Sequence, residues 1–95
     1  MFTPNDFDKM TTDPRWAGHG YLGERRSFIS KMEHGERGDL PQILQAADAM
    51  VLNVATARGM TWEQLFKWAN SKDGRHYGDC WFGADGQDSE YYLPR

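Results

Sequence analysis

Leu40-Pro41-Gln42-Ile43-Leu44-Gln45-Ala46-Ala47-Asp48-Ala49-Met50-Val51-Leu52-Asn53-Val54-Ala55-Thr56-Ala57 is the stretch that decides the architecture. Leu40, Ile43, Leu44, Ala47, Met50, Val51 and Val54 recur at spacings of three and four, the period of a helix with one apolar face. Asp39 precedes it as a cap, and Gly59 follows as the residue that ends it. Ala46, Ala49, Ala55 and Ala57 keep the other faces small, so a second helix can approach closely, from this chain or from another copy.

The flanking sequence extends the helical reading in both directions. Thr61-Trp62-Glu63-Gln64 forms a capping box with Met60 placed to staple on Leu65, which predicts a helix over 62–70. Near the start, Thr3 as N-cap, Pro4 at the first helical position and Phe2 facing Phe7 predict a helix over 4–11. Asp13-Pro14 breaks it. Gly18, Gly20 and Gly23 keep the next stretch irregular until Tyr21 or Leu22 opens a further helix, with Leu22, Arg25, Phe28, Ile29 and Met32 on one stripe and a stop at Gly35. Past Asn70 two readings compete. Asp73-Gly74 as a turn, then residues 76–82 and 89–93 around Asp85-Gly86, read as an aromatic β-hairpin over 76–93. The other reading puts Tyr77, Cys80 and Trp81 on one face of a further helix. The expected fold is therefore mainly α, a small four-helix single domain over 1–95, with the short C-terminal hairpin as its one β candidate.

Length and composition bound the function. Ninety-five residues hold one domain and one core, which excludes a two-domain enzyme. With 39% hydrophobic and 14% aromatic residues the chain is too apolar to be disordered by composition. The absence of a long apolar run and of a basic, apolar leader predicts a soluble cytoplasmic protein. Cys80 is the single cysteine, so no internal disulfide framework or Cys-rich zinc module is expected. The net charge of −3 is unevenly spread: residues 1–38 balance, whereas 79–95 carry Asp79, Asp85, Asp88 and Glu90 against Arg95. Such an end suits a basic partner surface and repels bare DNA.

Three constellations bear on chemistry. Gly18-His19-Gly20-Tyr21-Leu22-Gly23 has the G-x-G-x-x-G spacing, but no buried strand precedes it and the chain is too short for a dinucleotide fold. In a more modest form, Gly18 and Gly20 with Arg15, Arg25 and Arg26, and with Trp16 and Tyr21 to stack on a base, would make a phosphate- or nucleotide-binding edge, with a cyclic nucleotide as the ligand class. His76 and Cys80 are four apart, yet no second pair completes a metal site, so neither metal nor other cofactor is expected. Cys80 with His76 could be named as nucleophile and base, but no pocket-sized scaffold or oxyanion-forming loop accompanies them, so catalysis is not expected. The third constellation is the C-terminal one, Asp79, Trp81, Asp85, Asp88, Glu90, Tyr91 and Tyr92, which combines the aromatic and charged residues of a binding surface.

Residues 55–65, Ala55-Thr56-Ala57-Arg58-Gly59-Met60-Thr61-Trp62-Glu63-Gln64-Leu65, resemble the helix-turn-helix of repressor-type proteins. The glycines at 74 and 78 interrupt what a recognition helix would require, so direct DNA binding is a secondary expectation. In overall character the whole chain resembles the small accessory proteins of bacteriophages, anti-CRISPR and other anti-defence inhibitors among them. That resemblance implies a non-enzymatic inhibitor in the host cytoplasm that binds a host defence protein or nucleoprotein complex, or encloses a nucleotide signal. A homodimer or higher oligomer is expected, because a small domain with a long Ala-rich helix has surface it does not bury alone.

Overall fold

The computed structural model describes residues 1–35 and 40–83. The apolar period of the quoted stretch is realised as an 18-residue helix, α3 (Leu40–Ala57). Before it come α1 (Pro4–Thr11) and α2 (Gly20–Glu33); after it come α4 (Trp62–Ala69), α5 (Lys72–Gly78) and a π-helical turn, Asp79–Gly83. No strand occurs among the described residues. None of their helices is long and apolar enough to cross a membrane.

The local signals act as the residue types require. The Thr3 N–H donates to the Asp6 carboxylate at 2.8 Å, and Pro4 occupies the first helical position of α1. At α4 the box is reciprocal: the Gln64 N–H donates to Thr61 Oγ1 at 3.2 Å, and the Thr61 N–H donates to Gln64 Oε1 at 2.9 Å. Gly59 takes φ +63° just past α3, the left-handed conformation that a glycine adopts at least cost. The predicted cap Asp39 lies outside the described residues.

One side chain organises the core. Tyr21, near the start of α2, is fully buried, and its ring lies 5.4 Å from Phe7 of α1, 5.7 Å from Trp68 of α4, 5.7 Å from Tyr77 of α5 and 5.5 Å from Phe82 of the π-turn. These centroid separations fall in the range where tilted aromatic pairs attract. Its hydroxyl donates at 2.7 Å to Asp48 of α3. All six elements therefore meet at one residue, with Leu22, Phe28, Leu40, Val51 and Leu65 filling around it.

The C-terminal region corrects the expectation. Among the described residues there are five α-helices, and of the two readings of this segment the helical one holds for the first arm of the hairpin: Asp73-Gly74 lies in the first turn of α5, and residues 76–82 run through α5 into the π-turn. The second arm, 89–93, lies outside the described residues. Two contacts account for the difference. Ser71 caps α5 by accepting the Gly74 N–H at 3.1 Å. Gly74 and Gly78 then face neighbours at a distance that admits no side chain, since a Cβ on Gly74 would meet the Trp68 carbonyl and one on Gly78 would stand 2.7 Å from Glu24 Cβ. The glycines that argue against a helix locally are what lets α5 lie against α2 and α4.

Candidate functional site

The glycine segment and its arginines do not form the nucleotide edge that their spacing predicts. Tyr21 is wholly inside the core and offers no face to a base. Arg25 is buried as well. Its Nε donates to both oxygens of Asp48 at 3.1 Å, its Nη2 lies 3.0 Å from Asp48, and its Nη1 lies 3.0 Å from Asp8. Burial opposes the Arg25 charge, but the hydrogen bonds it donates to Asp48 and Asp8 outweigh it and hold the guanidinium protonated; burial pushes the Asp48 carboxyl up against the pull of Arg25. Gly20 has φ +77° and is needed for packing, because a Cβ there would run into the Ala69 carbonyl. Gly18 shares that φ but borders open space. Both residues satisfy the fold, one by close approach and one by backbone conformation.

Trp16 and Arg26 pair with each other. The Arg26 guanidinium lies 5.8 Å over the Trp16 ring, and Trp16 is half-buried with its Nε1 enclosed and without a hydrogen-bond partner among the described residues. Arg15 is the one predicted residue that lines a substantial cleft, of about 760 Å³, together with His19, Phe66, Lys67 and Asn70. Its guanidinium lies 4.6 Å over Phe66 and is clamped between two carboxylates, Glu63 at 2.6 and 3.2 Å and Asp13 at 2.8 and 3.1 Å. The side-chain hydrogen bond from Arg15 lowers the Asp13 carboxyl to about 2 and also lowers Glu63, while Arg15 itself is raised. A cation neutralised twice over retains little attraction for a phosphate, so among the described residues Lys67 is the cleft's cation without a carboxylate partner.

The 55–65 stretch is an ordinary helical corner, α3 meeting α4 through Gly59. The helix that follows, α5, is seven residues long and turns its two glycines inward. Lys72 and Arg75 are exposed on it beside Asp73, and Arg75 Nε stands 3.6 Å from Glu24, which leaves little net positive charge for a phosphate backbone. Among the described residues no group of three metal-ligating side chains comes together.

The C-terminal constellation is divided. Asp85, Asp88, Glu90, Tyr91 and Tyr92 lie outside the described residues. Asp79 and Trp81 sit on the π-turn, the first exposed and the second half-buried against the core. The turn is fixed by its neighbour Phe82, which is 7% exposed and packs 4.7 Å from Phe28 as well as against Tyr21. Asp79 neighbours Glu24, whose carboxyl is raised by burial and by the Asp79 charge. Sequence reasoning missed that pairing, because it joins α2 to the π-turn. It also missed Asp48, although Asp48 is the single charge in α3 and Arg25 interrupts the apolar stripe of α2; two lone charges on two apolar faces are the signal that would have paired them.

Charge distribution completes the picture. The described residues carry nine Lys or Arg and nine Asp or Glu and are neutral in sum, so the whole excess of −3 belongs to residues 36–39 and 84–95. No family model matches the chain, and neither a curated protein nor a solved structure matches it.

Proposed function

We propose that the chain is a non-enzymatic binding protein whose acidic, aromatic C-terminal end engages a basic surface on a protein or nucleoprotein complex, of the kind a defence complex presents in its nucleic-acid groove. The observation that carries the reading is the distribution of charge along the chain: the described residues are neutral in sum, with Phe82 wedged into their core, while residues 84–95 supply Asp85, Asp88 and Glu90 against Arg95. Carboxylates concentrated at one end steer the chain toward positive potential, and rings beside them provide apolar anchorage after encounter.

Capture from nuclease-treated bacterial lysate tests it, with wild type compared against the combined variant Asp79→Asn, Asp85→Asn, Asp88→Asn and Glu90→Gln. The expected result is a captured complex that elutes with rising salt and is lost at least tenfold by the variant, with an unchanged circular dichroism spectrum. Equal capture by both proteins overturns the reading.

A further inference from the structure

The geometry points to the cleft between the α1–α2 connection and α4 as a binding site for a free apolar amino acid. The cleft holds about 760 Å³, within the range of small-molecule sites. One wall is the connection, with Arg15 and Ala17; the other is α4 and the residue that caps its end, with Glu63, Phe66, Lys67 and Asn70. Its Arg, Lys and carboxylate charges are of both signs and balance: Arg15 and Lys67 stand against Glu63 and against Asp13, which also holds Arg15. Such a cleft disfavours a phosphate dianion, which would meet two carboxylates. It suits a ligand that is neutral in sum and carries both charges itself.

Groups along the α4 wall set where each end of the ligand lies. Lys67 is exposed and has no carboxylate partner among the described residues, so its ammonium is open to the ligand's carboxylate. The Asn70 amide is oriented by its Nδ2, which donates to the Phe66 carbonyl at 3.1 Å, and its Oδ1 is enclosed without a hydrogen-bond partner among the described residues. An acceptor left in that state costs stability until a donor reaches it, and an ammonium group is a charged donor with three N–H bonds to offer. Glu63, one turn before Lys67 on the same face and 65% exposed, keeps lone pairs open beside its bonds to Arg15 and gives that ammonium its counter-charge. Residues three apart on a helix have Cβ atoms about 5–6 Å apart, so the amine and carboxylate of one amino acid, with a hydrogen bond at each end, span Asn70 and Lys67. Ala17 and Phe66 supply apolar surface for the ligand's side chain. The site does not depend on the acidic C-terminal end.

Amide chemical shifts of the isotope-labelled full chain, titrated with L-phenylalanine at neutral pH, provide the test. The expected result is a saturable change confined to the residues of the cleft, with a Kd of about 1 mM, the affinity of a small ligand held by its two charges and a partly covered ring. N-acetyl-phenylalanine, which lacks the ammonium, and phenylalaninamide, which lacks the carboxylate, should each bind about fivefold more weakly. Lys67→Gln should erase the preference for phenylalanine over its amide and leave the melting temperature unchanged, since Lys67 is exposed. No change in shifts at about 20 mM phenylalanine, well above that Kd, overturns the proposal. Equal binding of the acid and its amide by wild type does so too, as does a Lys67→Gln protein that still prefers the acid. A stronger response to inorganic phosphate than to phenylalanine also overturns it and makes the cleft a plain anion site. None of these outcomes bears on capture through the acidic end.

Discussion

The Tyr21 hydroxyl donates a 2.7 Å hydrogen bond to Asp48 Oδ1, joining two buried groups that are 27 residues apart. The same carboxylate receives Arg25, so hydroxyl, carboxylate and guanidinium satisfy one another inside an otherwise apolar core. Tyr21 and Arg25 lie one turn apart on α2. Their shared acceptor on α3 therefore sets the register between the two helices, a directional constraint that the surrounding Leu and Phe contacts do not impose.

Removing Asp48 leaves the buried Arg25 charge short of its main partner. Asp48→Ala is expected to cost about 3–5 kcal/mol, whereas Tyr21→Phe, which keeps the ring in place and removes one hydrogen bond, costs about 1–2 kcal/mol. Because both act through one carboxylate, Tyr21→Phe in an Asp48→Ala background should cost markedly less than it does alone. Urea unfolding of the four proteins measures this, and strict additivity would show that the two contacts do not share an acceptor.

The glycines at 20 and 59 separate backbone conformation from packing. Both have positive φ, but Gly59 borders open space and Gly20 lies against the Ala69 carbonyl. Gly59→Ala pays the conformational term alone, about 1–2 kcal/mol. Gly20→Ala adds displacement of α2 from the end of α4, a further 1–3 kcal/mol or so. Thermal melts of the two variants should differ accordingly; equal destabilisation would mean that α2 yields to the added methyl without resistance.

Most of the fold was legible because the signals that carry it are local. The Thr3 and Thr61 caps, Pro4, and the three-and-four spacing of α3 place α1, α3 and α4 within a residue or two of where they stand, and the stripe from Leu22 to Met32 does the same for α2. The C-terminal region was legible only as two competing readings, because Gly74 and Gly78 favour the helical one only once α2 and α4 are there to be approached. The same holds for the predicted nucleotide edge. Arg15, Arg25 and Arg26 are near in sequence, but their partners, Glu63 and Asp13, Asp48 and Asp8, and Trp16, come mostly from elsewhere in the chain and use up what the spacing offers. Spacing shows which groups share a face; it does not show what already occupies them.

The Arg15 clamp has a definite pH signature. Asp13 is lowered from 3.8 to about 2, so the folded state releases its proton more readily than the unfolded chain. Its stabilising contribution is then complete above the unfolded value and declines as pH falls from about 4 to about 2. The difference in melting temperature between wild type and Asp13→Asn should be constant from pH 5 to pH 7 and largely lost by pH 2. A difference that persists at pH 2 would mean that Asp13 acts through its hydrogen-bond geometry and not through its charge.

Asp79 gives the opposite sign. Burial and the neighbouring Asp79 carboxylate raise the Glu24 pKa, so the folded state binds the Glu24 proton more tightly than the unfolded chain does. Stability from this group therefore falls as pH rises through the interval between the ordinary glutamate value of 4.5 and the raised one, and the penalty is fully present at neutral pH. Arg75, 3.6 Å from Glu24, offsets part of the repulsion without cancelling it. Asp79→Asn keeps a side chain of the same shape on the π-turn, removes the like charge and lets Glu24 ionise. The variant should melt higher than wild type at pH 7 and about equally at pH 4, and it should bring the Glu24 carboxyl, followed by nuclear magnetic resonance, back toward its ordinary range. If partner capture weakens in the same variant, one carboxylate has been shown to cost stability and to serve binding, which is the trade expected where a residue is placed for function. A lower melting temperature at pH 7 would show instead that Asp79 holds the π-turn in place, and the case for its serving a partner would lose its energetic support.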